Sequence, residues 1–300
     1  MGILPDLSIR QLEYLVAVAD TPTWALAAEA VGVSPSALSQ GLSELERRVG
    51  VPLFDRDGRR RVLRPSADIV LHHARQVVAL TGDLSRWAQR TKAADEGSIR
   101  VGMIDIAATH HFPDELQAFR AQPPDLSFHL RVSSSRPLFE MLVKGDLDLA
   151  VCVETSKPFP GIVTQPLLEE ELAVYRQGGG KLGPARNWGP WVLFPEDSHT
   201  REIISNALLA KGAPVEVIAD SPQPEVLREM VNLGLGWTVL PTRQAESGER
   251  PLTPSETLAR RTLVLAYRSS AATVPAVVAL SELLQESVIN SVSSVRNSNP

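Results

Sequence analysis

From residue 8 to residue 49 the apolar positions recur at steps of three and four, the period of helices that bury one side. Ser8 and Gln11 form a capping-box pattern around a first helix whose stripe is Ile9, Leu12, Leu15, Val16 and Ala19. Thr23 caps a second, in which Leu26, Ala27, Ala30 and Val31 make the stripe and Gly32 ends it. After a turn of only Gly32-Val33, Ser34 caps a third, Pro35 takes its first position, and Gly50 stands where a left-handed cap belongs. Leu38, Leu42, Leu45 and Val49 face inward along it. Two short helices separated by so tight a turn predict a helix-turn-helix.

The outward face of the third helix is short and polar: Ser36, Ser39, Gln40, Ser43 and Arg47, with Ser34 and Pro35 at its start. Small hydroxyls allow close approach to phosphates and base edges, an amide reads adenine, and a cation meets phosphate. The plain alternative is the solvated side of an ordinary helical hairpin. Residues 51–64 favour DNA, because Asp57-Gly58 marks a hairpin turn between short apolar segments that carry Arg56, Arg59, Arg60, Arg61 and Arg64. Such a wing suits the backbone and the adjoining minor groove.

Residues 66–91 contain no proline, and Ile69, Val70, His73, Val77, Leu80, Leu84 and Trp87 fall at helical steps. A helix that long has a seam too extended for a small domain to cover, so a partner helix is expected. The alternative is packing on the chain's own carboxy-terminal part. The polar stretch 92–98 then reads as a hinge. Beyond it strands alternate with helices: strands at 99–104, 125–132, 147–153, 168–176, 191–194, 215–219, 236–240 and 261–267, and helices at 110–121, 136–144, 201–211, 224–233 and 274–288. This pattern predicts a parallel sheet wound by helices, as two α/β lobes of the periplasmic-binding-protein type. The chain should cross between lobes near 163 and return near 268.

The run from Leu7 to Arg90, with LSIRQLEYLVAVAD, VSPSALSQGLSELERRVGVPLFDR and the wing, resembles the amino-terminal region of LysR-type transcriptional regulators. The likeness continues through GDLDLAV and Gly234-Leu-Gly236 into the remainder. It implies a winged helix-turn-helix over 1–64, a linker and dimerisation helix over 65–92, and a regulatory domain over 93–300, with lobe I at 98–163 plus 268–295 and lobe II at 164–267. It also implies a homodimer or homotetramer on a double-stranded operator, with Val70, Val77, Leu80, Leu84 and Trp87 at the dimer contact, and RNA polymerase as a partner if the protein activates. The family commonly has Gln at the place of Pro35, a larger polar residue at Gly41, and Thr and Gly where Arg64 and Ala67 stand. Operator preference should therefore be this chain's own.

Composition changes the picture little. Hydrophobic residues make up 43% and charged residues 22% of 300 positions, as in a soluble globular protein. The net charge of −5 divides unevenly: residues 1–92 hold 12 Lys+Arg and 10 Asp+Glu, so the acidic excess lies downstream. Non-specific DNA affinity of one subunit should be modest. The tail after about Ser291 is polar and expected to fray. Cys152 is the only cysteine, in an apolar strand, so an intramolecular thiol-disulfide switch of the kind the family's peroxide sensors use is excluded. Six scattered histidines have no zinc-type spacing, and neither a secretion signal nor a membrane-length apolar run is present, so a cytoplasmic protein without metal is expected.

Ligands of open α/β sheets bind beyond the carboxyl ends of the strands, where helix starts present free N–H groups. The loops there are 105–109, 133–136 and 196–200, which nominate Asp105, Thr109, Ser133, Ser134, Ser135, Arg136, Ser198 and Thr200. By the resemblance, Ser135 matches an effector-contacting hydroxyl, and Ile106 stands where another is often found, so that contact is missing or passes to Thr109. Ser133–Ser135 are equally readable as helix caps. A small carboxylate co-inducer is the first expectation, with an amine as the alternative selected by Asp105, Glu196 and Asp197. No catalytic constellation is found: no phosphate loop, no nucleophile elbow, and Asp197, Ser198 and His199 are too close in sequence to converge as a triad. A constitutive repressor with a vestigial cleft is the competing function.

Overall fold

The computed structural model describes residues 6–57, 60–92, 98–121, 127–159 and 161–297, in two compact units, 1–94 and 95–300, taken separately below. The hinge expected at 92–98 lies almost wholly outside the described residues.

In the first unit α1 (Ile9–Asp20), α2 (Trp24–Ala30) and α3 (Pro35–Val49) pack around Leu12, Leu15, Ala27, Ala28, Leu38, Leu42 and Leu45, all buried. The caps form as the sequence implies. Thr23 Oγ1 accepts from Leu26 N at 3.3 Å, Ser34 Oγ accepts from Ala37 N at 3.2 Å, and Gly50 ends α3 at φ 79°. Two stripes differ from expectation. Ile9 and Leu26 are about half exposed and Ala30 is exposed, whereas Tyr14 and Ala28 are buried. α1 meets α2, α3 and the long helix after the wing, and α2 meets α1 and α3, so each buried arc is rotated from the one an isolated stripe suggests.

The strands β1 (Phe54–Asp57) and β2 (Arg60–Leu63) pair antiparallel as the expected wing. Glu46 near the end of α3 anchors it: its Oε1 accepts from Leu53 N at 2.8 Å and Phe54 N at 3.2 Å. A short 3-10 turn leads into α4 (Asp68–Lys92), whose Leu71 and Ala74 are buried and whose Arg75 donates to Asp20 at 2.6 Å.

The second unit contains β3 (Ser98–Met103), α5 (Pro113–Arg120), β4 (Ser127–Val132), α6 (Ser135–Lys144), β5 (Leu149–Val153), β6 (Ile162–Tyr175), β7 (Trp191–Leu193), α7 (His199–Ala210), β8 (Val217–Asp220), α8 (Pro224–Asn232), β9 (Thr238–Pro241), α9 (Thr242–Ala245), β10 (Glu256–Arg268) and α10 (Pro275–Asn297). One sheet has the order β4-β3-β5-β10-β6-β9, and β7-β8 form a second, parallel pair. Only β4, β3 and β5 run parallel in the large sheet; β10 pairs antiparallel with both β5 and β6, and β6 with β9. The expectation of a parallel sheet is corrected to a mixed one.

Two apolar cores lie along this sheet, one built on β3, β5 and the carboxyl half of β10, the other on Leu172–Tyr175, Trp191–Phe194 and Val239–Leu240. Both crossings are made inside paired strands. β6 and β10 stay paired from Ile162↔Arg268 to Glu256↔Val174, across two register shifts, so the lobes change over around 169–171 and 260–262, not at 163 and 268. Sequence alternation misses this because Pro166 and the run Glu169-Glu170-Glu171 break the apolar pattern. The ladder absorbs the proline with a bulge: Leu263 pairs with Leu168 and Val264 with Pro166, skipping Leu167.

Smaller differences have local causes. The helix expected at 110–121 is divided, with a π turn at Ala107–His111 and Pro113 at the first position of α5, where its missing N–H is harmless. The last helix continues to Asn297, past the predicted fraying point. Gly102 in β3 lets α6 approach, since a Cβ there would meet Leu138 Cδ2 at 2.7 Å and Leu147 Cδ1 at 2.5 Å.

Candidate functional site

On the first unit the outer side of α3 presents Ser34, Pro35, Ser36, Gln40, Ser43 and Arg47 to solvent, with Ser39 half-buried. Arg47 is held in place on its own helix: its Nε lies 2.7 Å and its Nη2 2.5 Å from the Glu44 carboxylate, which Arg48 Nε also reaches at 2.6 Å. These two arginines draw the Glu44 carboxyl down to about 2. In the wing, the backbones of Arg56, Arg60 and Arg61 lie in the two strands, their side chains and all of Arg59 lying outside the described residues. Arg64 is paired with Asp55 at 2.5 Å.

On α4 the apolar residues divide between two sides. Leu71 and Ala74 are buried against the core of this unit, and Val70 and Val78, partly buried, pack against it. Ile69, Val77, Leu80 and Leu84 remain exposed, Leu84 by 63%. The side chain of Trp87 lies outside the described residues.

In the second unit a cleft of about 580 Å³ opens at the carboxyl ends of β3, β4, β5, β7 and β8. Its wall includes Asp105, Ser133, Ser134, Ser135, Ser198 and Thr200 from the nominated loops. Ser135 Oγ accepts from Val153 N at 2.9 Å, which ties the start of α6 to the end of β5. Ser134 and Ser198 occupy the cap positions of α6 and α7 without bonding their own helices through the side chain.

Three nominated residues are elsewhere. Ile106 is fully buried in the lobe I core, Thr109 is exposed and donates to Asp105 O at 2.8 Å, and Arg136 stands at the rim, where Nε donates to the Asp197 carbonyl at 3.3 Å. Each follows from the turn after β3 or the first turn of α6, which direct alternate side chains away from the opening. The wall also has residues that strand-end reasoning missed: Phe194, Gln223, Glu225 and above all Arg261. The loop after β8 was available from the same rule. Arg261 was concealed within a strand.

Arg261 is 5% exposed and sits in a buried network. Its Nε and Nη2 lie 2.7 Å from Glu170 Oε2, its Nη1 donates to Thr200 Oγ1 at 2.7 Å, and Glu170 Oε1 meets His111 Nε2 at 2.7 Å. Burial alone would push the Glu170 carboxyl up, but Arg261 and His111 outweigh it and hold it below the usual range. Asp105 goes the other way, raised by burial despite bonds from Ile106 N and from Gln244 Nε2 at 2.7 Å. Cys152 is fully buried in β5, and burial pushes its thiol up, which opposes formation of a reactive thiolate. Among the described residues no cluster of His, Cys, Asp and Glu is arranged to hold a metal, and no helix is long and apolar enough to cross a membrane.

Residues 9–68 match the family model described as bacterial regulatory helix-turn-helix protein, lysR family, and residues 92–288 match the LysR substrate binding domain. The chain is 30% identical over 250 residues to the uncharacterized HTH-type transcriptional regulator YybE of Bacillus subtilis, covering 77% of this chain and 82% of that protein. It is 27% identical over 276 residues to the hydrogen peroxide-inducible genes activator of Dickeya chrysanthemi, covering 87% and 90%. Among solved structures, a cysteine mutant of OxyR from Corynebacterium glutamicum superposes with a TM-score of 0.55 at 23% identity, over 98% of this chain and 96% of that one. CbnR, a LysR family transcriptional regulator, gives 0.55 at 20% identity, over 94% and 99%.

Proposed function

The chain belongs to the lysR family of bacterial regulatory proteins, and we propose that α3 reads an operator in the major groove while the cleft of the second unit takes a small effector that controls it. It is a DNA-binding transcriptional regulator with an effector domain. The observation that carries the reading of the cleft is its position: open space at five strand ends, walled by the starts of α6 and α7. A vestigial cleft in a constitutive repressor is disfavoured by the same volume, about 580 Å³, within the ordinary range of ligand sites.

Gln40 and the serines of α3 are the base readers in this proposal, and the wing arginines contact phosphate. The exposed row Ile69, Val77, Leu80 and Leu84 joins α4 to a second copy, placing two reading heads on one partly palindromic site. Such a protein works in the cytoplasm and, if it activates, contacts RNA polymerase. Selection of bound duplexes from a random pool, repeated with Gln40→Ala, tests the DNA half; an unchanged consensus removes Gln40 as a reader. A thermal-shift screen of metabolites on the full chain tests the effector half, because a ligand that binds only the folded state raises its melting temperature.

A further inference from the structure

Three acidic residues, Asp105, Asp197 and Glu225, line the cleft against one lining arginine, Arg261, with Arg136 at the rim on the Asp197 carbonyl. The Arg261 guanidinium is already answered by Glu170, 2.7 Å away, and by Thr200. Asp105 and Glu225 therefore present more negative charge to a ligand than Arg261, already bonded to Glu170, offsets, and a ligand carrying only negative charge would enter against it. An ammonium group set against Asp105 and Glu225 removes that repulsion.

The other side of the cleft prefers the opposite sign. The starts of α6 and α7 line it, with the N–H groups of Ser135 and Arg136 on α6 and of His199 and Thr200 on α7 free of intrahelical partners, and the side chains of Ser134 and Ser198 are not spent on capping them. Ser135, 6% exposed, has its oxygen occupied by Val153 N–H, which leaves its own O–H to donate. A carboxylate satisfies this side, so the anion expected from the loops alone is half of the ligand.

We infer that the effector is a zwitterion of the free amino acid class, its ammonium group held by Asp105 and Glu225 and its carboxylate by Ser135 and the starts of α6 and α7. This rests on the cleft being the effector site. The volume leaves room for a side chain beyond the charged head.

The test is titration calorimetry on the full-length protein with the common amino acids, each paired with the acid lacking its amine, as alanine with propionate, together with simple dicarboxylates. At least one amino acid should bind, its deaminated partner about 100-fold more weakly, and Glu225→Gln and Asp105→Asn should each weaken it about tenfold. Glu225 is exposed on the first turn of α8, so its substitution leaves folding intact and serves if Asp105→Asn does not fold. A deaminated acid that binds as well as its parent, or an affinity unmoved by Glu225→Gln, overturns the zwitterion. A dicarboxylate that binds while every amino acid fails does the same and keeps the cleft as an effector site. Silence from every compound in all three sets, up to about 10 mM, where even the weakest specific binding is measurable, counts against the inference and the effector reading together.

Discussion

The ring of Tyr14 occupies the space that a side chain on Gly41 needs: a Cβ at Gly41 would lie 2.7 Å from both Cδ2 and Cε2 of that ring. Tyr14 is 8% exposed, and its hydroxyl accepts from Arg10 Nε at 3.2 Å, so the ring is held from both ends. The larger polar residue common at this place in the family is thus excluded here by α1. Gly41→Gln should cost about 1–3 kcal/mol by overpacking, despite the better helix propensity of Gln. Urea denaturation of Gly41→Gln, Tyr14→Ala and the double variant checks it. Simple additivity of the two losses would show that the residues do not compete for space.

Reading and positioning should separate on the DNA face. Gln40→Ala should lose about 1–3 kcal/mol of discrimination at one base position. Glu44→Ala should instead tighten binding to all sequences and steepen the salt slope by about one, because it removes a negative charge and frees Arg47 for phosphate. Fluorescence anisotropy at several salt concentrations distinguishes the two. Since Glu44 stays ionised down to about 2, its effect should not vary between neutral and mildly acidic buffer.

Leu80 and Leu84, about 51% and 63% exposed on α4, are expected to be covered by a second copy. Leu80→Asp combined with Leu84→Asp should yield a folded monomer and abolish specific operator binding. Analytical ultracentrifugation is the measurement, and an intact oligomer would remove α4 as the contact.

Glu170→Gln should destabilise the second unit by about 3–5 kcal/mol, because it removes the carboxylate charge that the buried Arg261 guanidinium is bonded to. Replacing both residues by Met should recover much of that loss. Thermal melts of the single and paired variants test the difference.

His199 is buried against Phe139 with Nδ1 3.4 Å from the Val153 carbonyl, and burial lowers its pKa. The folded state therefore takes up its proton at lower pH than the unfolded chain, whose imidazole titrates near about 6.5. The neutral form's contribution is complete above that value and falls as pH drops toward the lowered folded value. Denaturation midpoints between neutral and mildly acidic pH should decline less in His199→Gln than in the wild type.

Much of the first unit was legible because its signals are local. Ser34, Pro35 and Gly50 bracket α3, and Leu38, Leu42 and Leu45 fall inside it as spacing requires. Tyr14, Ala28 and Glu46 were not legible in that way, since their roles depend on contacts with other elements. In the second unit the strand-end rule found Asp105, Ser135 and Thr200, yet it missed Arg261, whose burial depends on Glu170 across an antiparallel ladder. Alternation also failed at β6, where Pro166 and three consecutive glutamates sit in a continuous strand. Chemistry carried by paired strands from distant parts of a chain leaves no local spacing to read.

The crossing through β6 and β10 makes the joint between lobes behave as a leaf spring. A loop hinge swings with little resistance, whereas a hydrogen-bonded ribbon must flex as one piece, with the bulges at Leu167 and Leu258 as its soft spots. If the proposed effector closes the cleft, the ribbon would be loaded elastically, and departure of the ligand would let it recoil. A ribbon that sets the resting shape in this way would return the proposed regulator to its unliganded state without any second signal.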